Sequence, residues 1–234
     1  MRILAIDTSG PACGAAVVEE GRVLSEETVQ NKNTHSANLM LLIEEVLRAA
    51  GTALSEVDGI ACVVGPGSFT GVRIGAATAK GLAHGSGKPC IPVNALEALC
   101  RGAGAFPGVI LPIQDARAGQ VYGAAFRGGS RLMPDSALAL EDFLRAAETA
   151  AGDDPGPFLF TGDGVAVHEK RIRELWGEKA VFAEAPFRYL RPAAAGMIAL
   201  EKGERTDYRN LRETYLRPPN AQKNKKLLEA MRHG

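Results

Sequence analysis

The opening of this chain is repeated in its second half, and this repetition constrains the fold more than any other feature. Residues 4–22 read LAIDTSGPACGAAVVEEGR, and residues 111–131 read LPIQDARAGQVYGAAFRGGSR. In each copy an apolar run ends at an aspartate, Asp7 or Asp115, and a short polar turn leads into Gly-Ala-Ala and a second apolar run. A duplicated opening of this kind predicts two lobes with the same arrangement of strands.

Hydrophobic periodicity predicts the elements of each half. In the first half they are strands 13–19, 22–29, 58–64 and 89–93 and helices 34–50, 70–85 and 94–103. In the second half they are strands 109–114, 120–127, 157–161 and 180–183 and helices 140–150, 165–176 and 192–202. This order predicts an α/β protein with two tandem lobes, each a mixed β-sheet with flanking helices. The glycine-rich linker 102–108 divides the chain into lobes 1–104 and 105–234.

Composition excludes several classes of protein. Lysine plus arginine and aspartate plus glutamate both number 27, so the formal net charge of the 234 residues is zero. This balance argues against strong binding of nucleic acid by the chain alone, because such affinity comes mainly from cations on phosphates. No apolar run approaches the roughly 20 residues of a membrane span, and an acid at position 7 interrupts any signal-peptide core. The four cysteines form no CxxC pair, which is typical of reduced thiols in a cytosolic protein.

The segment GPGSFTGVRIGAATAKGLA at 65–83 joins a predicted strand to a helix rich in small residues. Ser68 is a candidate N-cap. Gly71, Gly75 and Ala79 recur every four residues, so one face of the helix is nearly bare, and we expect a partner helix to approach it closely. The glycine loop itself is either a tight strand-to-helix turn or an anion-binding helix start. It lacks the lysine of a P-loop.

Polar residues at the ends of the two repeated strands are candidates for a nucleotide cleft. Asp7 with Thr8 and Ser9, and Asp115 in the second copy, lie where each strand ends and could orient Mg²⁺ or water beside a phosphate. Gly162, between a strand and a helix, could approach a nucleotide. The alternatives are that each aspartate caps its own turn and that Gly162 belongs to a plain turn.

Two further surfaces are candidates for partner binding. On helix 34–50, Met40 and Leu41 lie off the apolar stripe, and His35 lies beside the N-cap, where it serves either as a capping or as an interface residue. The tail 217–234 carries five cations against one acid. It is a solvated terminus, a helix that packs back on the protein, or a contact with tRNA or a protein partner. Its cations are Arg217, Lys223, Lys225, Lys226 and Arg232.

Five segments together resemble the TsaB family. They are LAIDTS at 4–9, HSANLMLLIEEVL at 35–47, GPGSFTGVRIGAATAKGLA at 65–83, DARAGQVY at 115–122 and YLRP at 215–218. The matches are dense over 1–125 and sparse beyond. The resemblance implies the two-lobed fold of the ASKHA superfamily, which is actin-like and RNase H-like and agrees with the duplication.

The resemblance also implies a function. TsaB proteins are the dimerisation subunit of the bacterial machinery that forms N6-threonylcarbamoyladenosine in tRNA, in the cytoplasm. The paralogue TsaD transfers the threonylcarbamoyl group to adenosine 37 of tRNAs reading codons that begin with A. The resemblance implies that this chain pairs with TsaD through first-lobe helices, that the ATPase TsaE binds the pair, and that tRNA is reached only through the complex. A homodimer is expected when the chain is alone.

The same comparison implies that the chain has no catalytic metal site. TsaD holds its metal through a histidine pair at i, i+4 in a segment of the type Pro-Val-His-His-Met-Glu-Gly-His. The matching segment here is PVNALEAL at 92–99, which places Ala95 and Leu99 at the ligand positions. A non-catalytic scaffold is therefore expected, with no cofactor beyond a weakly or interface-bound ATP or ADP. The alternative is a small ASKHA-type ATPase or kinase in which Asp7, Asp115 and Gly162 form a working cleft.

Overall fold

The computed structural model describes residues 1–31, 33–153 and 155–217, and it contains two five-stranded sheets of the same design. The elements of the first lobe are β1 (Arg2–Asp7), β2 (Cys13–Glu19), β3 (Arg22–Val29), α1 (His35–Ala49), β4 (Gly59–Val63), α2 (Phe69–Ser86), β5 (Cys90–Val93) and α3 (Ala95–Gly102). Those of the second lobe are β6 (Val109–Asp115), β7 (Gln120–Arg127), β8 (Ser130–Ala139), α4 (Leu140–Ala151), β9 (Phe158–Thr161), α5 (Gly164–Trp176), β10 (Ala180–Phe182) and α6 (Pro192–Lys202).

The duplication predicted from the sequence is confirmed by the topology. The strand orders are β3-β2-β1-β4-β5 and β8-β7-β6-β9-β10, which are the same order in the two lobes. In both, the first three strands form an antiparallel meander and the last two run parallel to the central strand. The fold is thus α/β with two mixed sheets, of the actin-like, ASKHA type, as predicted.

The predicted elements agree with the observed ones within two residues, and the observed strand that was not predicted is β8. This strand follows the turn Gly128-Gly129 and carries Arg131, Pro134 and Asp135. It is largely exposed or half-buried, because it lies at the edge of the second sheet. An edge strand with few buried positions lacks the apolar alternation from which strands are predicted.

The two lobes exchange their last helices. The helix α3 packs on β6 and β7 of the second sheet, while α6 packs on β1 and β2 of the first. The approach of α6 is close, since a Cβ placed on Gly196 would lie 2.6 Å from Val18 Cγ2 and 3.2 Å from Ala5 Cβ. A single apolar core therefore runs from Ile3 of the first sheet to Ile110 of the second.

The predicted boundary between lobes 1–104 and 105–234 separates the two sheets, but the helices cross it. Residues 192–217 contact the first lobe, although the sequence suggested that they continue the second. Beyond α6, Thr206 forms a bridge with Cys90, and Leu211 is fully buried in the first-lobe core. The physical reason is that α6 is rich in alanine and apolar on nearly all sides. Such a helix can bury its whole surface only when it lies between two layers of the protein.

The apolar stripe predicted for helix 34–50 contains Leu39, Leu42, Ile43, Val46, Leu47 and Ala50. The first four are buried against the first sheet, and the last two are half-buried. Among the residues that the structure describes, no helix combines the length and the apolar character that crossing a bilayer demands.

Candidate functional site

A cleft of about 520 Å³ opens between the lobes, where β1 and β6 end. Its walls are the loop after β1 (9–11), the turn before α2 (66–70), the loop after β6 (114–117) and the segment 214–217, with His35, Tyr122 and Asp163 between them. This is the place where the sequence predicted a nucleotide cleft.

Asp7 and Asp115 each cap their own turn. Asp7 Oδ1 accepts a hydrogen bond from Ser9 N at 2.8 Å, and Asp115 Oδ1 accepts one from Arg117 N at 2.9 Å. These bonds form the local Asx turns that short polar side chains favour. Of the two alternatives left open by the sequence, the turn-capping role is therefore the one observed.

Asp7 has little room for a ligand. Its side chain is only 3% exposed, and burial raises the pKa of this carboxyl to about 6 despite the hydrogen bond from Ser9 N. It borders a cavity of about 10 Å³ beside the cleft, which is about the space of one water molecule and cannot accommodate a phosphate.

Thr8 and Gly162 do not line the cleft, so their predicted role in nucleotide binding is wrong. Thr8 is fully buried, and its hydroxyl donates to the carbonyl of Gly71 at 2.7 Å. Gly162 has φ 101°, and a Cβ there would overlap the carbonyl oxygen of Ile113. Both residues serve a close helix–strand contact. Ser9 and Asp115 do border the cleft, and the buried Ser9 hydroxyl has no partner among the described residues.

The sequence indicated the turn Gly162-Asp163-Gly164 but assigned no role to Asp163, which is the second carboxylate of the cleft. Burial raises its pKa to about 6, and the charge of Asp115 adds to the effect. On the neighbouring turn of α5, burial lowers the pKa of His168, whose Nε2 lies 3.9 Å from Asp115 Oδ1. The position of Asp163 between Gly162 and Gly164, where a strand gives way to a helix, is the signal that could have identified it.

The small-residue face of α2 contacts its own sheet, so Gly71, Gly75 and Ala79 do not form the predicted partner interface. All three are buried, and a Cβ on Gly75 would lie 2.6 Å from the Thr8 hydroxyl. A Cβ on Gly71 would overlap the Thr8 carbonyl oxygen. Glycine is needed here because the helix begins directly against the end of β1.

The exposed side of the same helix is also made of small residues. Ala77, Gly81 and Gly85 are exposed, and a Cβ on either glycine would meet no atom within 4 Å. On the adjacent helix α1, Met40 is 42% and Leu41 is 65% exposed. We call these five residues the helix-pair face.

His35 lies at the start of α1, apart from the five residues of this face, and its place in a partner interface stays a prediction. Its Nε2 lies 2.9 Å from the carbonyl oxygen of Gly10, and the ring borders the cleft. The imidazole thus fixes the loop after β1 against the start of α1.

The segment that resembles the metal-binding segment of TsaD is part of the core. Asn94 caps α3 by accepting a hydrogen bond from Glu97 N at 2.9 Å. Ala95 is fully buried and Leu99 is 3% exposed, and both pack in the core shared by the lobes. Two buried apolar side chains therefore stand where the resemblance places the metal-binding histidines of TsaD.

Of the predicted tRNA contacts, only Arg217 is described. Its Nη1 donates to the carbonyl of Ala116 at 2.9 Å, at the mouth of the cleft. Lys223, Lys225, Lys226 and Arg232 lie outside the described residues.

Comparison with known proteins agrees with this architecture. Residues 22–206 match the family model of TsaD, tRNA N6-adenosine threonylcarbamoyltransferase. The tRNA threonylcarbamoyladenosine biosynthesis protein TsaB of Bacillus subtilis is 34% identical over 226 residues, which cover 95% of this chain and 96% of that protein. The structure of YeaZ from Pseudomonas aeruginosa superposes with a TM-score of 0.75 at 27% identity, over 92% of this chain and 99% of that one.

A relative that is named as a transferase matches a smaller part of this chain. The tRNA N6-adenosine threonylcarbamoyltransferase of Methylorubrum populi is 42% identical over 118 residues, which cover 42% of this chain and 34% of that protein. Fold, cleft and matches define a two-lobed, actin-like protein of the wider threonylcarbamoyltransferase group. Within that group, the near full-length match to a curated relative decides the assignment: the chain belongs to the TsaB family.

Proposed function

We propose that this chain is a non-catalytic subunit of tRNA threonylcarbamoyladenosine biosynthesis, and that it pairs with TsaD through the helix-pair face. The pathway follows from the family, whose members are named for it. The pairing and the lack of catalysis are the finer parts of the proposal, and each has its own support and its own test.

The observation that carries the pairing is the exposed glycine content of α2. A glycine inside a helix is less stable than alanine by about 1 kcal/mol. Gly71 and Gly75 offset this through their contact with Thr8, but Gly81 and Gly85 face open space. A second helix lying across Ala77, Gly81 and Gly85 would use the bare surface, and Met40 and Leu41 would supply apolar area beside it.

TsaD fits this face because it is a relative of this chain. Related proteins with equivalent helices can pair face to face about a pseudo-twofold axis, as the two copies of a homodimer do. A second copy of this chain is the expected occupant when TsaD is absent. Following the family resemblance, the ATPase TsaE would bind the pair, and tRNA would be reached through the complex.

The lack of catalysis is supported by the residues present rather than by any missing ligand. Ala95 and Leu99 cannot donate electron pairs to a metal ion, and the turn before α2 contains no lysine for a phosphate. Asp7 and Asp115 are occupied in capping their turns. We place the protein in the cytoplasm, in keeping with four free, buried cysteines.

Pairing is tested by co-purification with TsaD from the same source. We expect Leu41→Glu and Gly81→Leu to weaken the pair, because one buries a charge and the other overfills a close helix contact. Overpacking costs about 1–3 kcal/mol, which corresponds to roughly 5- to 150-fold in affinity.

The matched control is Val167→Glu on α5, where Val167 is 60% exposed on the topologically equivalent helix. This variant should co-purify with TsaD like the wild type. If Leu41→Glu and Gly81→Leu melt at the wild-type temperature and still co-purify at full yield, the helix-pair face is not the interface.

Catalysis is tested on the isolated chain by metal analysis and an ATP turnover assay. We expect no stoichiometric metal and no turnover above background. ATP turnover that is lost on Asp7→Ala would instead support the small ATPase or kinase.

A further inference from the structure

A strip of positive charge lies along the edge of α2, although the whole chain is neutral. Residues 69–88 contain Arg73, Lys80 and Lys88 and no acid. The segment 205–217 contains four arginines and only two carboxylates. Seven cations against two acids in these two stretches contrast with the equal numbers of the chain as a whole.

The two stretches lie side by side. From its start the segment runs back along α2: Tyr208 stacks on His84 with ring centroids 4.7 Å apart, and Glu213 lies 4.0 Å from Lys80. At the other end of the helix, the Tyr215 hydroxyl accepts a hydrogen bond from Arg73 Nε at 3.0 Å. The strip is therefore continuous, and it is as long as the 18-residue helix, roughly 27 Å. We call Arg73, Lys80, Arg209, Arg212 and Arg217 the basic strip.

Most of these cations have no carboxylate partner within the part of the chain that the structure describes. Among the described residues, Arg73, Arg209, Arg212 and Arg217 form no ion pair with a carboxylate, and Lys80 has only the long contact with Glu213. The arginines on the equivalent helix α5 behave differently, since Arg171 and Arg173 both pair with glutamates. Unpaired guanidinium groups in a row leave a polyanion site open.

Aromatic rings alternate with these cations. The Arg73 guanidinium lies 3.8 Å from the centroid of the Phe69 ring, and Tyr215 packs on the same ring with centroids 5.0 Å apart. Arg209 lies over Tyr208 at 5.2 Å. Tyr215 is 39% exposed, so part of its ring remains free for stacking.

We propose that the basic strip binds a single-stranded segment of RNA, with its arginines on successive phosphates and with unpaired bases stacked on Tyr215 and on the arginine planes. Single strands are recognised by this combination of cations and stacking surfaces. An acidic protein or an anionic membrane would use the charges but would have no need for the interleaved rings. The strip lies on the side of α2 that contacts residues 208–217, so it is distinct from the helix-pair face and the inference does not depend on pairing with TsaD.

The test is the salt dependence of RNA binding by the full chain. The probe is an unstructured, fluorescein-labelled RNA of about 20 nucleotides, measured by anisotropy in a series from about 25 to 300 mM salt. Each phosphate contact on a single strand contributes about 0.7 to the log–log slope. Replacing Arg73, Arg209 and Arg212 with alanine should therefore lower the slope by about 2 and weaken binding at about 50 mM salt at least tenfold.

Two matched variants distinguish the position of the arginines from the charge that they carry. The triple variant Arg145→Ala, Arg171→Ala, Arg173→Ala removes the same charge from the second lobe and should keep the wild-type slope. The conservative triple Arg73→Lys, Arg209→Lys, Arg212→Lys should also keep it. All proteins retain residues 218–234, so the tail contributes equally to each measurement.

The proposal is overturned if the wild type does not bind the RNA at about 25 mM salt, if the second-lobe triple loses as much slope as the strip triple, or if the lysine triple loses it too. It is also overturned if the alanine triple keeps RNA binding but no longer binds vesicles containing phosphatidylserine. Since TsaD is absent from the assay, none of these results bears on the pairing.

Discussion

The helices α2 and α5 occupy the same position in the two lobes, yet their outer surfaces differ completely. Each follows the fourth strand of its lobe and begins against the end of the first strand. The outer side of α5 carries charged residues in ion pairs with Glu141, Glu169 and Glu174. The outer side of α2 carries alanine and glycine, with Arg73 and Lys80 along one edge. The duplication preserved the inward contact, and the outward surfaces diverged.

The inward contact is the same in both lobes because it depends on glycine. A Cβ on Gly71 would overlap the Thr8 carbonyl oxygen, and one on Gly162 would overlap the Ile113 carbonyl oxygen. On α5 itself, a Cβ on Gly164 would lie 3.0 Å from the same oxygen. The start of each helix thus packs directly on the backbone of the central strand, and no side chain fits between them.

The largest effect is expected from filling this contact. Gly71→Ala in the first lobe and Gly162→Ala in the second should each lower the free energy of unfolding by about 3 kcal/mol or more, because the obstacle is backbone rather than a movable side chain. Urea unfolding of both variants measures the loss. A loss below about 1 kcal/mol in only one of them would show that the lobes do not share the constraint.

A smaller effect is expected from the buried carboxyl of the first lobe. Because the native pKa of Asp7 is about 6, the folded protein retains a proton that the unfolded chain releases above about pH 3.9. The favourable contribution of the neutral carboxyl is therefore complete below that pH and is lost as the pH rises to about 6.

Asp7→Asn removes this pH-dependent loss of stability, and the Asn side chain keeps an oxygen that can accept the hydrogen bond from Ser9 N. Relative to the wild type, its free energy of unfolding should increase by about 1 kcal/mol between pH 5 and pH 7. Urea titrations at several pH values measure the difference. A difference that stays constant with pH would mean that Asp7 is ionised in the folded protein throughout this range.

Adding a methyl group should stabilise the protein on the outer side of α2, whereas it should destabilise the protein on the inner side. Gly81→Ala adds a methyl group in open space, so it should raise the free energy of unfolding by about 0.5–1 kcal/mol. Thermal unfolding of the isolated chain measures the gain. Destabilisation would mean that Gly81 is needed for the fold itself, which would remove the argument for a partner at this position.

The smallest effect is expected on the outer side of α5. Arg171 pairs with Glu141 and Glu174, but all three side chains are about half exposed, and exposed ion pairs contribute less than about 1 kcal/mol. Arg171→Ala should therefore lower the free energy of unfolding only slightly at low salt and by less at high salt. A loss as large as that of Gly71→Ala would indicate that the charges of α5 hold the second lobe together.

The sequence predicted the parts of the fold that depend on local pattern. Repetition of the opening predicted two equivalent lobes, and apolar periodicity predicted every helix and nine of the ten observed strands, including β1 within the repeated opening. Of the cleft, it correctly placed Ser9 and Asp115 and offered turn capping as one role for the two aspartates. It did not predict the exchange of α3 and α6. The apolar surface of a helix indicates how much of the helix is buried, but not which sheet it packs against.

The amino-acid order by itself determined the duplicated α/β lobes and the family, since both rest on patterns read along the chain. The tertiary structure alone decided which side of α2 faces inward. A spacing of four residues places Gly71, Gly75 and Ala79 on one face and Ala77, Gly81 and Gly85 on another, and both faces are equally small. Only the position of β1 distinguishes them, because the Thr8 carbonyl oxygen occupies the space beside one face and leaves the other open.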